Sequence, residues 1–437
     1  MTSKAEGEAL TRIGPGTPMG ALLREYWIPA AHSSELKADG SPVRLVLLGE
    51  KLIAFRDSVG RIGIMDHRCP HRCASLFFGR NEEGGIRCIY HGWKFDVEGK
   101  CLDQPNLPAH QQFAHKVHAK AYRATERNGL VWVYMGERKT PPPLPVFETS
   151  LLGEAELRIS FVQRECNWLQ ALEGDVDTSH FSFLHLGGLE PEEVPEDQIG
   201  RYVVMNRTPE FAVEKTDYGL IYGAYREGEP GQTYWRIAHY LMPFWTMPPT
   251  GPFADNLHTR AWVPMDDTHT MFVSLMWTGN KRSLGLRKDG TPVPGHVTGI
   301  DHRPNTTDWY GRWRLIHDGA DDYGQDRVLQ RMGNYSGIVG IHLQDQAITE
   351  SMGEITDFGF EHMAPSDVMV TQTRKRLLAL LKAHKKGAVP PCVDDANTLL
   401  GLRGGEFLAP AALDLMGAYR HEVRRSTDPT GTLQAAE

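Results

Sequence analysis

Short apolar runs separated by turn signals dominate residues 43–136. The runs that we predict to be strands are VRLVLLG, KLIAFRD, GRIGIMD, IRCIYHGWKFD and NGLVWVYMG. Pairs such as Val59-Gly60 and Asn128-Gly129 lie between them and are typical of hairpin turns. This pattern predicts a small antiparallel β domain.

A proline-rich segment at residues 140–145 ends that pattern. Consecutive prolines favour an extended path with few ladder hydrogen bonds, so we place a domain boundary there.

Beyond it, residues 166–186 have a helical pattern, residues 201–278 read as antiparallel strands broken by turns, and residues 307–386 read as mostly helical. The clearest helix is predicted from Asp367 to Lys385, where a basic pair and a glycine follow the apolar stripe. The mixture predicts an α+β domain with a central antiparallel sheet flanked by helices.

A chain of 437 residues is too long for one ordinary core. We therefore predict an α+β protein in which an antiparallel β domain precedes a larger α+β domain. The predicted parts are an N-terminal segment at 1–26 that packs on the larger domain, the β domain at 27–139, a linker at 140–145, the larger domain at 146–425 and a flexible tail at 426–437.

Composition and charge narrow the class of protein. The chain has 41% hydrophobic and 23% charged residues, and no apolar stretch approaches the roughly twenty residues that span a bilayer. Residues 1–10 lack the apolar region of a signal peptide, so the cytoplasm is the predicted location. A net charge of -8 argues against a nucleic-acid partner, whose binding needs a concentrated basic face.

The most informative motif consists of Cys69 and His71 followed by Cys88 and His91. A Rieske 2Fe-2S cluster has one iron held by two thiolates and the other by two imidazoles. Structural zinc also accepts two cysteines and two histidines, but it usually keeps each residue type together. We therefore predict a Rieske cluster, with zinc as the alternative. Cys73 is expected to be a small buried side chain and not a fifth ligand.

A second group of polar side chains crowds the helical pattern from Asn167 to His185. Such groups are costly to bury unless they are paired or bind a metal. His180 and His185 are five residues apart, whereas four would align them on a regular helix. A local distortion or a helix end must therefore bring both imidazoles to one point. Spacing alone does not establish a metal site here, because a chain with 19 histidines contains many near pairs.

Taken together, N-W-x-Q-x-x-E-G and D-x-x-H-x-x-x-x-H downstream of the cluster motif resemble the catalytic α subunit of Rieske non-haem iron aromatic-ring-hydroxylating oxygenases. The resemblance runs from Leu10 to about residue 385, and it favours the branch of phthalate dioxygenases and aromatic O-demethylases. It implies one Rieske 2Fe-2S cluster and one mononuclear Fe(II) per subunit. It also implies O2 as co-substrate and a homo-oligomer, either a trimer or a hexamer. Because no flavin or nicotinamide site is recognisable, NADH would act through a separate flavin and iron-sulfur reductase.

The resemblance also assigns the mononuclear site. It makes His180 and His185 two of the iron ligands and places the carboxylate ligand at Asp345, with Glu350 as the runner-up. Two histidines and one carboxylate leave open positions on iron for oxygen and water. His342 is expected to be a packed or hydrogen-bonded histidine.

The resemblance gives Asp177 a role in electron transfer. Its carboxylate is implied to bridge His180 to the cluster ligand His91 of a neighbouring subunit, which would orient both ligands. Asn167 and Glu173 are implied to line or brace the site.

The sequence is less informative about the substrate. Strand alternation puts Arg236 and Tyr240 on one face, where an arginine would bind an aryl carboxylate in bidentate fashion. A solvated arginine or a structural ion pair is an equal alternative. Arg207 is a second candidate, although Glu210 stands where phthalate dioxygenases are expected to have another basic residue.

The predicted reaction is oxidation of a substituted, carboxylated aromatic compound. Monooxygenation or O-demethylation is favoured, and cis-dihydroxylation is the alternative. If the protein is not an enzyme, the alternative is a non-catalytic Rieske electron carrier.

Overall fold

The computed structural model describes residues 2–426. The predicted tail therefore lies, from residue 427 onward, outside the described residues. The first part of the chain contains α1 (Lys4–Thr11), α2 (Pro18–Leu23), β1 (Trp27–His32), β2 (Val43–Leu47), β3 (Glu50–Arg56), β4 (Ile62–Asp66), β5 (Arg80–Glu82), β6 (Gly85–Arg87), β7 (Lys94–Phe95), β8 (Cys101–Asp103), β9 (Ala121–Arg127) and β10 (Leu130–Tyr134).

These strands form two antiparallel sheets. The larger has the order β1-β10-β9-β4-β3-β2 and the smaller has the order β5-β6-β7-β8. The predicted hairpin at Asn128-Gly129 joins β9 to β10, and both residues have a positive φ, as such a turn requires. Cys69 and His71 lie in the loop before β5, and Cys88 and His91 lie in the loop between β6 and β7. The predicted antiparallel β domain is confirmed.

The second part is larger and mixed. It contains β11 (Leu157–Arg164), α3 (Trp168–Val176), a π-helical turn (Phe181–His185), α4 (Arg201–Met205), β12 (Glu210–Lys215), β13 (Gly219–Glu227), β14 (Gln232–Leu241), β15 (Trp245–Met247), β16 (His258–Pro264), β17 (Thr270–Trp277), α5 (Arg327–Arg331), α6 (Ile341–Ser351), α7 (Val368–His384), β18 (Gly405–Pro410) and α8 (Leu415–Arg425). Its antiparallel sheet has the order β11-β17-β16-β15-β14-β13-β12, and β18 pairs with β14. The predicted α+β architecture is confirmed.

Two predictions about this part are wrong. Residues 201–205 form α4 and not a strand, and residues 307–386 are not mostly helical, because irregular segments separate α5, α6 and α7. Trp313, Asp322 and Tyr323 have φ values of 57°, 50° and 56°, and a left-handed residue ends a right-handed helix. The helix predicted from Asp367 to Lys385 is present as α7.

One face of the large sheet is covered by α3, which contacts β14, β15 and β16 and also packs on α6. Arg236 lies on this face, because its Nε donates to Oγ1 of Thr178, just beyond α3, at 3.3 Å, and strand alternation puts Tyr240 on the same face. This face of the sheet is therefore directed toward the segment that carries the predicted iron ligands.

The two parts share one apolar core. Trp132 of β10 stacks on Trp245 of β15 with a centroid distance of 5.7 Å. The N-terminal segment packs on α3 and α7, and Trp168 donates a hydrogen bond from Nε1 to the carbonyl of Leu10. Among residues 2–426, no helix is both long and apolar enough to cross a membrane.

Candidate metal centres

The two loops that carry the cluster motif have matching backbone hydrogen bonds. The Cys69 amide donates to the carbonyl of Ala74, and the Cys88 amide donates to that of Trp93, both at 2.8 Å. Each loop therefore closes around its cysteine in the same way. Both cysteines are buried, and burial, with the nearby Cys88, raises the pKa of the Cys69 thiol to about 12. Such a thiol stays protonated at neutral pH unless a metal takes the proton's place.

The two motif histidines face each other at the loop tips. Their ring centroids are 4.4 Å apart, and Trp93 stacks on His71 at 4.3 Å. Nδ1 of His91 is buried and has no hydrogen-bond partner among the described residues. A buried imidazole nitrogen without a partner is costly, and coordination of a metal would satisfy it. The donor set of two cysteines and two histidines therefore fits a Rieske cluster.

Cys73 differs from the prediction that it is buried. Its side chain is exposed, and its backbone is left-handed with φ of 59°. It occupies the position equivalent to Gly92 of the second loop, where φ is 78°. The loop turns sharply at this point and directs the thiol into solvent.

The segment from His180 to His185 contains the distortion that the five-residue spacing requires. A π-helical turn spans Phe181–His185, and the Leu186 amide donates to the carbonyl of Phe181 at 3.2 Å. The wider turn adds one residue, so that both imidazoles point to the same side. Nε2 of His180 lies 3.2 Å from Nε2 of His185.

Asp345 on α6 completes this group. Its Oδ1 lies 3.1 Å from Nε2 of His185 and 3.6 Å from Nε2 of His180. Neighbouring ligands that each bind a metal at about 2.1 Å are about 3 Å apart, so these spacings suit one metal ion. Burial acts to raise the pKa of Asp345, but the two histidines hold it well below its ordinary value. An anionic carboxylate beside two imidazoles is the donor set of a non-haem iron site.

Two family models match the chain. The model described as Rieske [2Fe-2S] domain matches residues 26–115, and the model described as LigXa C-terminal domain like matches residues 133–398, more than half of the chain. The chain belongs to the Rieske non-haem iron aromatic oxygenases.

Three relatives illustrate this membership. The 3-chlorobenzoate-3,4-dioxygenase oxygenase subunit of Comamonas testosteroni is 50% identical, over 97% of this chain and 99% of the relative. The phthalate 4,5-dioxygenase oxygenase subunit of Pseudomonas putida is 35% identical, over 89% and 88% of the two chains. The 5,5'-dehydrodivanillate O-demethylase oxygenase subunit of Sphingobium sp. is 32% identical, over 82% of each chain. The predicted family is confirmed, and this Rieske oxygenase is an enzyme.

Gln344 is a functional residue of the oxygenase that sequence reasoning missed. Its Oε1 lies 2.6 Å from Nδ1 of His185, and its Nε2 donates to the carbonyl of Ile338 at 2.8 Å. The second contact fixes the amide orientation, so Oε1 accepts the Nδ1 proton and leaves Nε2 of His185 available to a metal. The available signal was a glutamine immediately before the predicted carboxylate ligand.

Asp177 lies beside His180, as predicted. It follows the end of α3 and its Oδ1 accepts a hydrogen bond from the Ser179 amide at 2.8 Å. Its Oδ2 lies 3.7 Å from Nδ1 of His180. The carboxylate is partly exposed, with 28% of the side-chain surface accessible. One side of Asp177 thus faces the histidine and the other faces solvent.

Asn167 and Glu173 brace α3 at a distance from the ligand atoms. Asn167 accepts from the Leu169 amide at 3.0 Å and donates to the carbonyls of Thr11 and Asp267. Glu173 forms a buried ion pair with Arg374 of α7, with Nε and Oε1 2.6 Å apart. Both residues fix the helix that leads into the ligand turn.

The three candidate substrate-binding residues have their polar groups committed elsewhere. Arg236 forms a buried ion pair with Glu406 of β18, which is the structural alternative left open by the sequence. Arg207 donates to the carbonyls of Ser182, Leu186 and Leu189, and thus caps the ligand turn. Tyr240 is fully buried and donates to the carbonyl of Pro243 at 2.7 Å. These donors are thus already used within the protein, and a role of the three residues in substrate binding stays a prediction.

Glu350, the runner-up ligand, is directed away from the histidines. It accepts hydrogen bonds from the Glu165 amide and the Tyr323 hydroxyl, both at 2.7 Å. His342 packs against Phe272 with a centroid distance of 4.7 Å, as expected for a packed histidine. Burial lowers its pKa to about 3, so the ring is neutral at neutral pH.

The side chain of Asp175 on α3 is only 6% exposed. It pairs with Arg260 at 2.5 Å and also accepts from Trp262 Nε1 at 3.2 Å. These contacts join α3 to β16.

Proposed function

We propose that this chain is the terminal oxygenase component that oxidises a monocarboxylated aromatic compound by cis-dihydroxylation of the ring. The observation that carries the proposal is the presence of a second ligand set, His180, His185 and Asp345, in addition to the cluster motif, in a chain that is 50% identical to a 3-chlorobenzoate-3,4-dioxygenase oxygenase subunit. A simple electron carrier has no use for the second set.

In this proposal Cys69, His71, Cys88 and His91 hold the Rieske cluster, and His180, His185 and Asp345 hold the mononuclear iron. When bound, the cluster supplies electrons and the mononuclear iron activates oxygen. Gln344 keeps the Nδ1 proton of His185 in place, and the ligand turn holds the two imidazoles together. Because Asp345 carries negative charge, it compensates part of the charge of the metal.

Asp177 is proposed to connect the two centres of different subunits. Its Oδ2 faces His180, and the rest of its carboxylate is accessible from outside the subunit. The cluster loops expose Ile89 and Tyr90, which are 63% and 55% accessible. These exposed groups suit docking of one subunit's cluster against the Asp177 region of another in a trimer or hexamer. A separate reductase would supply electrons from NADH.

O-demethylation is the second candidate reaction. The 32% identity to an O-demethylase oxygenase subunit favours it, and the metal ligands suit either reaction. The two reactions differ in their products, since dihydroxylation adds two oxygen and two hydrogen atoms, whereas demethylation releases formaldehyde.

The test measures product mass and oxygen uptake with the iron-loaded protein, a compatible reductase and NADH. We expect 3-chlorobenzoate to give a dihydroxylated product and methoxybenzoates to give little formaldehyde. Asp345→Ala serves as the control, and its oxygen uptake coupled to product should be absent. Stoichiometric formaldehyde from a methoxybenzoate would replace the proposal with demethylation, and full function of His180→Ala would indicate an electron carrier.

A further inference from the structure

Arg164, the last residue of β11, is a fully buried arginine beside the helix that carries Asp345. The residue is 1% exposed, and among residues 2–426 no carboxylate oxygen lies within 4 Å of its guanidinium. Its Cζ lies 4.7 Å from the ring centroid of Trp262, so the guanidinium packs over an aromatic face. Its Nε is buried and has no hydrogen-bond partner among the described residues. The positive charge is therefore held inside the protein without a directly paired anion.

One hydroxyl joins Arg164 to the ligand helix α6. Nη1 of Arg164 donates to Oγ1 of Thr349 at 3.1 Å, and Oγ1 of Thr349 donates to the main-chain carbonyl of Asp345 at 2.8 Å. Thr349 is 2% exposed, so both hydrogen bonds are shielded from water. The guanidinium is thus separated by a single side chain from the helix turn that presents the carboxylate ligand.

Two acids of α6 act on Arg164 from beyond 4 Å. Burial acts to raise the pKa of Asp345, and the charges of the two ligand histidines and of Arg164 act to lower it. Burial also raises the pKa of Glu350, and the charge of Arg164 opposes that rise. Arg260, the other arginine close to Trp262 in sequence, is paired with Asp175. One guanidinium is therefore shared between two carboxylates, one of which is a ligand in the proposed site.

A metal bound by Asp345 would change this balance. The carboxylate would then compensate the charge of the metal, and Glu350 would be the acid left to Arg164. Like charges repel over a longer range in a protein interior than in water. Ferric iron carries one positive charge more than ferrous iron, so a fixed cation beside the ligand helix destabilises the ferric state more than the ferrous state.

We propose that the buried charge of Arg164 favours the ferrous over the ferric state of the mononuclear iron. The inference rests on the iron ligands of the proposed function and adds a residue that sets the reduction potential of that site. Thr349 holds the guanidinium in place, and Trp262 covers it. Because the charge raises the potential of this iron, it makes transfer of an electron from the cluster to this iron more favourable.

The test is an anaerobic redox titration of the iron-loaded protein, followed by electron paramagnetic resonance. The high-spin ferric signal reports the mononuclear iron, and the cluster has a separate signal. In Arg164→Met we expect the ratio of ferric to ferrous affinity to rise about 10-fold, which lowers the one-electron potential of this iron by about 59 mV. The cluster potential should not change. The matched control is Arg158→Met, an exposed arginine on the same strand, which should alter neither potential.

Arg164→Lys separates the charge from the shape of the side chain. Lysine retains the positive charge and loses the planar fork, so the potential should move by less than about a third of the shift in Arg164→Met. Equal shifts in the two variants would mean that hydrogen-bond geometry, and not charge, controls the iron. An unchanged potential in Arg164→Met would overturn the proposal.

Glu350→Gln decides if Arg164→Met does not fold. Glutamine can still accept the hydrogen bonds of the Glu165 amide and the Tyr323 hydroxyl, but the acid that balances Arg164 is lost. The potential should therefore rise, and an unchanged or lower value would contradict the role of Arg164. Wild-type protein without a mononuclear ferric signal after iron loading would instead contradict the proposed iron ligands.

Discussion

The two candidate metal centres are built in opposite ways. The cluster motif lies in two loops of one small region, and its four ligand residues are held by matching backbone turns. The mononuclear site joins a π turn to a helix, and His185 and its support Gln344 are 159 positions apart in sequence. The first centre is therefore encoded by short-range spacing, whereas the second exists only when the large domain has folded.

The supporting contacts differ in the same way. Around the cluster, main-chain hydrogen bonds and the stacking of Trp93 on His71 fix the ligands. Around the mononuclear site, side chains from other elements do so, including Gln344 and the ion pair that ties α3 to α7. Substitutions distant in sequence should consequently affect the second centre and leave the first intact.

The largest effect expected is that of removing a ligand from one centre only. The Asp345→Ala variant should lose the mononuclear iron, and its rate of product formation should fall more than about 100-fold. Even substitutions of residues that only support a metal ligand lower metal affinity or activity about 10- to 100-fold. The cluster should keep its visible absorbance and its electron paramagnetic resonance signal. Iron analysis and the spectrum of the same sample provide the measurement.

His91→Ala is the reciprocal variant. It should abolish the cluster signal while the mononuclear site still binds added Fe(II). Loss of both metals in either variant would show that the two centres fold as one unit and are not built independently.

Acid should destabilise the large domain by protonating histidines that are buried in their neutral form. Burial lowers the pKa of His239 to about 4, and its ring contacts the Tyr218 hydroxyl and the carbonyl of Arg403, both at 2.9 Å. Because the folded pKa lies below the ordinary 6.5, the unfolded chain takes up the proton first. The neutral ring contributes its full stabilisation above about pH 6.5. As the pH falls to about 4, the free energy of unfolding decreases by about 3 kcal/mol.

His239→Gln removes this titration. Its free energy of unfolding, measured by denaturant titration, should fall less between pH 6.5 and pH 4.5 than that of the wild type. An identical decrease in both proteins would exclude His239 as a source of the acid sensitivity.

The sequence predicted the parts of the molecule whose determinants are local. The strands of the β domain, the cluster motif and α7 follow from short patterns. The irregular segments around α5 did not, because their left-handed residues, such as Trp313, leave no periodic signal. Pairings across the fold were also hidden, because no local pattern connects Arg236 to Glu406. Charge balance inside a domain is a property of tertiary structure.

A smaller effect is expected from removing the hydrogen bond that supports His185. Gln344→Leu removes the acceptor for its Nδ1 proton, and the affinity for Fe(II) should fall about 10- to 100-fold with the cluster unchanged. Gln346→Leu is the matched control, because Gln346 lies on the same helix but donates to Glu350. Competition with a coloured chelator measures both affinities. Equal losses in the two variants would mean that helix stability, and not the hydrogen bond to His185, controls iron binding.

The smallest effect concerns Cys73 and tests whether backbone geometry alone shapes the cluster loops. Its φ of 59° strains a residue with a Cβ, and glycine would remove that strain at some cost in chain entropy, so Cys73→Gly should stabilise the cluster by about 0.5 kcal/mol. At the equivalent Gly92, a Cβ would lie 2.6 Å from Cγ of Pro105, so Gly92→Ala should destabilise it. Thermal loss of cluster absorbance measures both changes. A shifted resonance spectrum in Cys73→Gly would contradict this account, because it would place the thiol close enough to influence the cluster itself.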